Sequence, residues 1–266
     1  MDTKDIIEKW YKKIGFDTRY DKEFYAALEK IEVEETAKVE DYDLECQDGK
    51  KNLLYFLYFC EELERKYKEK GIPLEYLYDD LGDFPRWLDT WTELKGEMFL
   101  GELDWFIWHF EMKIFKLGRL QFCRTQSERE FPTKGIKKGD NIIGIHIPAD
   151  GPLLRSECEK SLDMAREFFD KFYPEHKYEY FTCYSWLLDE GLSSILKEGS
   201  NILEFQKLFE IVEREKRDSI ISFVVRWKTN RATIHQVEAK TPLAQKVKDM
   251  AIAGEDFFVG SGVIKK

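Results

Sequence analysis

The sequence predicts an α+β protein in which a helical N-terminal domain, residues 1–116, packs on a mixed α/β C-terminal domain, residues 117–266. Before residue 117, apolar side chains recur at helical spacing, and aromatic residues are concentrated between 74 and 116. After residue 117, short β-rich runs alternate with helical segments. Charge divides at nearly the same place, because residues 1–118 hold 29 acidic and 18 basic side chains and the remainder hold 23 and 24. These three observations predict two packed layers of different character.

The N-terminal helices have recognisable start and stop signals. Asp2 or Thr3 is placed to cap a first helix, in which Trp10 lies on the apolar face. A long helix is predicted over about 50–70, and Gly71 is its stop signal. The tryptophans and phenylalanines of 74–116 are interpreted mainly as core, with the floor of a ligand groove as the alternative.

The C-terminal elements follow in the order β–β–α–β–α–α–β–α–β. The predicted strands and helices occupy 117–124, 141–148, 156–172, 178–188, 190–198, 201–215, 219–227, 242–253 and 257–264. A polar turn at 133–140 joins the first two strands, so that pair is predicted to be an antiparallel hairpin.

Composition excludes several classes of protein. The formal net charge of −10 argues against a nucleic-acid binder. The longest apolar run, 53–60, is far shorter than the roughly 20 residues that cross a bilayer, and no apolar signal core follows the N-terminus. Five widely spaced cysteines and four scattered histidines predict neither a disulfide framework nor a metal site. We therefore expect a cytoplasmic protein without membrane insertion or metal.

His146 is the first candidate for chemistry. In the strand 141–148, the isoleucines point to one face, so Gly144 and His146 point to the other. A histidine on the wetter face beside a glycine is a candidate acid, base or ligand group. The alternative is a histidine that is covered and hydrogen-bonded structurally.

The strand 178–188 supplies further candidates. Cys183 and Ser185 share one face, and Tyr184 and Trp186 share the other. If Cys183 met His146, the two could form a thiol nucleophile pair, although a buried cysteine that packs as a small hydrophobe is the default.

A turn at Gly199 precedes a predicted helix with Ser200 or Asn201 as its cap. Such a helix start has unpaired backbone N–H groups and is a candidate anion site, with ordinary capping as the alternative.

The same residues carry a family resemblance. The strings His146-Ile-Pro-x-x-Gly151, Cys158-x-x-Ser161-Leu and Cys183-x-Ser185-Trp-Leu-Leu-Asp resemble bacterial acyltransferase-domain proteins. Those proteins have a helical N-acyltransferase N-terminal domain and a GNAT-like C-terminal domain. The resemblance covers nearly the whole chain and is tightest over 117–210.

The resemblance implies a GNAT-like fold that transfers an acyl group from acyl-coenzyme A to an amine. It implies acyl-CoA between two splayed strands, lined by Cys183, Trp186 and Leu187, with its pyrophosphate on backbone amides at a helix start. His146 is then the candidate base, with Tyr184 or Ser185 as proton donor. The pyrophosphate signature of GNAT folds, Gln/Arg-x-x-Gly-x-Gly/Ala, appears nowhere in the chain. Gly199, Ser200 and Asn201 are the expected substitute.

Three functions remain open from the sequence. The first is an acyl-CoA-dependent N-acyltransferase whose acceptor is a small-molecule amine; an acidic domain facing the cleft would favour a cationic one. The second is an inactive GNAT-like binding module that has lost the coenzyme site. The third is a thiol hydrolase built on Cys183 and His146.

Overall fold

The computed structural model describes residues 2–266, so Met1, the first residue of the predicted helical domain, lies outside the described residues. The chain divides into two compact units, with the division between Lys116 and Leu117. Among residues 2–266, every helix is too short or too polar to cross a bilayer.

The first unit is helical. Its α-helices are α1 (Thr3–Ile14), α2 (Asp21–Lys30), α3 (Gly49–Lys70), α4 (Leu74–Leu81), α5 (Asp83–Lys95) and α6 (Leu103–Phe110). The side chain of Asp2 caps α1 by accepting from the Lys4 N–H, and Asp48 caps α3 in the same way. Gly71 ends α3 in the left-handed conformation, as its position predicts.

Aromatic side chains form much of the core of this unit. Phe56 of α3 meets Phe106 and Phe110 of α6 edge to face, and Phe84 of α5 packs against Phe106 at 4.3 Å between ring centroids. All four are fully buried. The helical spacing of these aromatics therefore places them in the core, while Trp108 remains partly exposed.

Asp83 is the centre of a buried polar cluster that the sequence did not predict. Its Oδ2 accepts from the Trp105 Nε1–H at 2.9 Å and lies 3.0 Å from Nε2 of His109. Its Oδ1 pairs with Arg86 one turn along α5. Asp83 and His109 are almost fully buried, so each depends on these partners to offset the loss of water.

Asp80 lies close to this cluster, and the charges of Asp80 and His109 influence each other's pKa. It accepts from the Tyr67 hydroxyl at 2.6 Å and from the Lys116 N–H. Burial raises the pKa of Asp80 to about 7 and lowers the pKa of His109 to about 4. Both groups are therefore neutral over a window in which the unfolded chain would ionise them.

These two groups are expected to act on stability in opposite directions. From about pH 4 to pH 7 the folded state keeps a proton on Asp80 that the unfolded state loses, so its contribution falls as pH rises. From about pH 4 to pH 6.5 the unfolded state holds a proton on His109 that the folded state lacks, so its contribution rises with pH. In the wild type the two slopes largely cancel.

Asp80→Asn is therefore expected to expose the slope of His109. The amide oxygen can still accept from the Lys116 N–H, and the amide N–H can donate to the Tyr67 oxygen in place of the bond that Asp80 accepts, so the fold should persist. Urea unfolding at several pH values between 4 and 7.5 should give a variant-minus-wild-type free energy of unfolding that rises with pH. His109→Gln should give the opposite slope. Parallel profiles for wild type and Asp80→Asn would contradict the assignment.

The second unit is built on a mixed sheet. Residues 114–265 form six strands, β1 (Ile114–Leu117), β2 (Leu120–Gln126), β3 (Asn141–His146), β4 (Tyr180–Ser185), β5 (Glu210–Lys216) and β6 (Phe258–Lys265). Their order in the sheet is β1-β2-β3-β4-β6-β5. The helices are α7 (Arg155–Phe172), α8 (Asn201–Gln206) and α9 (Pro242–Ile252). The β2–β3 pair is antiparallel, as predicted.

Three predicted elements are wrong. The helix expected over 201–215 ends at Gln206, and its second half is the edge strand β5. The strand expected over 219–227 is a π-helical turn, Ile221–Val225, followed by irregular chain. The helix expected over 190–198 is a short 3₁₀ turn. The buried isoleucines and valines of 220–237 pack with α9 into a small second core, and this packing overrides their β propensity.

Candidate functional site

β3 and β4 form the only described parallel pair in the sheet, and they separate early. Pairing is limited to Ile143 with Phe181 and Gly144 with Thr182, whereas β2–β3 and β4–β6 each pair over six positions. Because the two strands run in parallel, their carboxyl ends, His146 and Ser185, lie at one edge of the sheet. Beyond Gly144 the backbone N–H and C=O groups that face the gap do not pair with the opposite strand, so a ligand can form hydrogen bonds with them.

The register assigns each candidate to a face of the sheet. Gly144 and Thr182 are neighbours, so His146 and Tyr184, each two residues further on, share their face. Ile143 and Phe181 are neighbours on the other face, which therefore also holds Cys183 and Ser185. The helix α7 packs on this second face, where the Arg166 guanidinium lies 5.6 Å from the Phe181 ring.

His146 lies on the face of β3 opposite to that of Ile143 and Ile145. It ends β3, lies next to Gln121 of β2, and is half-buried. Its Nε2 lies 3.8 Å from the position that a Cβ on Gly144 would take, so the imidazole folds back along the strand over the glycine. Of the described histidines, this one lies where the parallel strands separate.

Tyr184 belongs to a polar cluster on the same face. Its hydroxyl donates to Glu215 at 3.0 Å and accepts from Arg217 at 2.9 Å. Arg129 bridges Glu215 and Glu213 at 2.8 and 2.9 Å, and its guanidinium lies 4.4 Å from the Tyr184 ring centroid. The hydrogen bond from Arg129, then that from Tyr184, lowers the pKa of Glu215. Two carboxylates and two guanidinium groups thus balance in charge around one phenol.

Ser185, Trp186 and Leu187, at and just after the end of β4, make contacts within their own unit. Ser185 Oγ accepts from the Leu187 N–H at 3.2 Å and caps the 3₁₀ turn Trp186–Leu188. Trp186 packs against the small second core, and Leu187 is buried. The Gln206 side-chain amide donates to the carbonyls of Leu187 and Asp189.

This turn lies flat on β6 because two glycines leave room for it. A Cβ on Gly260 would stand 2.4 Å from the Leu188 carbonyl oxygen, and one on Gly262 would stand 2.8 Å from Leu188 Cδ1. Any larger residue at Gly260 would push the turn away from the sheet.

Cys183 does not meet His146. The two lie on opposite faces of the sheet, so the thiol–imidazole pair of the hydrolase hypothesis does not form. Burial raises the pKa of the Cys183 thiol to about 12, and a thiol in that state is a poor nucleophile. Cys183 behaves as a small buried side chain.

Gly199, Ser200 and Asn201 begin a short helix. Gly199 has a φ of 72°, and Ser200 precedes α8 without a side-chain capping bond. The α8 helix has only six residues and is in contact with α7. The anion site predicted there stays a prediction.

The sequence interpretation predicted the helix after β3 but did not consider its start as a candidate anion site. The loop 147–154 leads from His146 into α7, an 18-residue helix with no side-chain cap. The N–H groups of Arg155 and Ser156, in its first turn, cannot be paired within the helix. The loop connects this helix start to the carboxyl end of β3. The signal was present in the order strand–loop–long helix.

The described residues form no metal centre, and a groove in the helical unit lies apart from the predicted site residues. Within residues 2–266, no three His, Cys, Asp or Glu side chains are grouped to hold a metal ion. A groove of about 460 Å³ lies between α2 and α3, with lysines on its rim and Leu54 in its floor. It contains none of the predicted site residues.

A mixed sheet with one parallel pair that separates early agrees with the GNAT-like fold that the sequence resemblance implied. Residues 114–264 match the model of the GNAT-like C-terminal domain, and residues 2–112 match that of the N-acyltransferase N-terminal domain. The chain therefore belongs to the family of proteins that join an N-acyltransferase N-terminal domain to a GNAT-like C-terminal domain. No curated protein matches it.

Solved structures agree with this assignment. An acyltransferase in complex with decanoyl-CoA and teicoplanin is similar at 26% identity and a TM-score of 0.71, over 80% of this chain and 65% of that one. An acyltransferase mutant in complex with octanoyl-CoA gives the same values. A complex with decanoyl-CoA aligned over 98% of this chain, at 24% identity and a TM-score of 0.70, supports the fold alone. This chain thus spans 65% of the length of the first two relatives.

Proposed function

We propose that this protein transfers an acyl group from acyl-CoA to the amine of a small-molecule acceptor. The observation that carries the proposal is the early separation of β3 and β4 next to the uncapped start of α7. The family match and the relatives solved with acyl-CoA support the same substrate.

Acyl-CoA fits this place for two reasons. The gap between the strands has backbone N–H and C=O groups for the amides and the thioester of the pantetheine arm. The first turn of α7 has N–H groups and the positive end of the helix dipole for the pyrophosphate. The GNAT glycine signature is not required if the loop 147–154 has the necessary shape.

We propose roles for His146 and Tyr184, which share one face of the sheet. The acceptor nitrogen attacks the thioester carbon, and His146 takes the proton that the nitrogen loses. The C–S bond breaks, and Tyr184 gives its hydroxyl proton to the departing thiolate. Main-chain N–H groups at the gap stabilise the oxyanion. Tyr184 is preferred to Ser185 as donor because Ser185 lies on the opposite face and caps a turn.

Calorimetry with decanoyl-CoA, followed by release of CoA thiol in the presence of teicoplanin, glucosamine or spermidine, tests the proposal. We expect micromolar binding of decanoyl-CoA and turnover with at least one amine. Teicoplanin is included because a relative is solved in complex with it. Absence of binding at millimolar decanoyl-CoA would exclude the acyltransferase.

Matched charge variants are expected to locate the pyrophosphate. Ser156, exposed in the first turn of α7, is changed to Glu or to Gln; Asn201 at the start of α8 is changed in the same way. Relative to Ser156→Gln, Ser156→Glu should weaken CoA binding about tenfold by repulsion at short range. A glutamate at a helix start also favours the helix, so lost folding cannot explain the effect.

The pair at Asn201 should bind CoA equally well. A Glu-to-Gln difference at Asn201 and none at Ser156 would move the pyrophosphate to the predicted Gly199–Asn201 turn. No difference at either helix start would exclude both.

The absence of the glycine signature supports the inactive binding module as a second function. An inactive binding module predicts that the wild-type protein binds no CoA ester and releases no thiol with any amine. It also predicts that the protein captures a stable protein partner.

A further inference from the structure

The turn between β1 and β2 holds the loop that precedes α7. Arg119, in this turn, donates through Nη1 to the Pro148 carbonyl at 3.0 Å, through Nη2 to the Gly151 carbonyl at 2.9 Å, and through Nε to the Pro152 carbonyl at 3.0 Å. Its Nη1 also lies 3.3 Å from Asp150 Oδ1. The side chain is only 12% exposed, so the loop surrounds the guanidinium.

Because peptide bonds are planar, the direction of each carbonyl that contacts Arg119 also fixes the direction of the N–H group of the next residue. In a trans peptide, the carbonyl and the next N–H point in opposite directions, and every described peptide bond here is trans. The carbonyls of Pro148 and Pro152 point at Arg119, so the N–H groups of Ala149 and Leu153 point away from it. In the described residues, neither of these N–H groups has a hydrogen-bond partner.

The same turn also fixes α7. The hydroxyl of Ser161, fully buried on α7, accepts from the N–H of Arg119 at 2.7 Å and from that of Leu120 at 3.2 Å. Gly118 has a φ of 72°, and a Cβ there would stand 2.9 Å from the Ser161 oxygen. The loop and the helix start are thus held by one turn and keep a fixed relation to each other.

We infer that Arg119 is a positioning residue for acyl-CoA, which holds the loop 148–152 so that the N–H groups of Ala149 and Leu153 face the pyrophosphate together with the start of α7. This rests on the proposed function. Arg119 does not bind the phosphates itself, because Asp150 and three carbonyls use its charge and donors. It supplies the loop shape that a glycine signature would otherwise give.

The test compares two thioesters with wild type, Arg119→Met and Arg119→Lys. Decanoyl-CoA has the pyrophosphate, and decanoyl-pantetheine lacks it. For Arg119→Met we expect decanoyl-CoA to bind 10- to 100-fold more weakly, while decanoyl-pantetheine changes less than twofold. Arg119→Lys keeps the charge but presents its donors from a single nitrogen, so it should recover only part of the loss. Arg166→Met, a partly exposed arginine of α7 outside this loop, is the matched control and should bind both thioesters as wild type does.

Hydrogen exchange at Ala149 and Leu153, with a thermal unfolding curve for each variant, separates a changed loop from a lost fold. Equal loss of both thioesters, or decanoyl-CoA affinity within twofold of wild type in Arg119→Met, would overturn the role of Arg119 and leave the acyltransferase intact. Wild-type protein that binds neither thioester would overturn both.

Discussion

Replacing His146 with glutamine is expected to lower kcat about 100-fold or more, while the dissociation constant of decanoyl-CoA changes less than twofold. General base catalysis contributes about 10²–10⁴-fold, and glutamine keeps a polar side chain of similar size without a proton-accepting nitrogen. His146 lies at the end of β3, beyond the last residue that pairs with β4, and on the face of Tyr184. The measurement is steady-state release of CoA thiol with the best amine acceptor.

His176→Gln is the matched control. His176 Nε2 lies 3.0 Å from the Ile142 carbonyl on β3, so it is a half-buried histidine of the same unit with a structural contact. Its variant should keep kcat within about twofold. Equal losses in both variants would show that the effect comes from the strand and not from a base at His146.

Replacing Asp83 with alanine is expected to lower the free energy of unfolding by about 3–5 kcal/mol, the range measured when one member of a buried charged pair is removed. The change leaves the Trp105 N–H, the His109 imidazole and the Arg86 guanidinium without the carboxylate that they contact. Because Asp83 is 3% exposed, water cannot replace it without opening the helices. Urea unfolding followed by circular dichroism measures the change.

Asp163→Ala is the control with the same spacing. Asp163 pairs with Arg166 three residues on, as Asp83 pairs with Arg86, but its side chain is 75% exposed. An exposed pair of this kind contributes at most about 1 kcal/mol. Similar losses for both aspartates would mean that burial does not set the strength of the Asp83 cluster.

The fold could be predicted where local signals agree with packing. Asp2, Gly71 and the long helix that ends at Lys70 are examples, because caps and apolar periodicity act within one element. Residues 210–216 show the opposite case. Two adjacent apolar residues, Ile211 and Val212, among charged ones suit an exposed helix as well as an edge strand, and only the neighbouring β6 decides between them. That neighbour lies more than 40 residues further along the chain.

The candidate site was predicted in part for a related reason. Alternation along single strands separated His146 from the isoleucines of β3 and Tyr184 from Cys183, but it could not say which strands are neighbours or in which register. That register separates Cys183 from His146. Likewise, nothing local marks Arg119, whose partners are main-chain carbonyls about 30 residues away.

The two glycines of β6 beneath Leu188 affect how variation among relatives should be interpreted. Neither Gly260 nor Gly262 belongs to the candidate site, yet a Cβ on Gly260 would meet the Leu188 backbone and displace the chain just after Ser185. Selection against larger residues there would reflect the space that the Leu188 backbone needs and not a part in catalysis. Strict retention of a position in this family is therefore insufficient to mark a catalytic residue, because a larger residue at Gly260 would move the chain after Ser185 without changing any group of the proposed reaction.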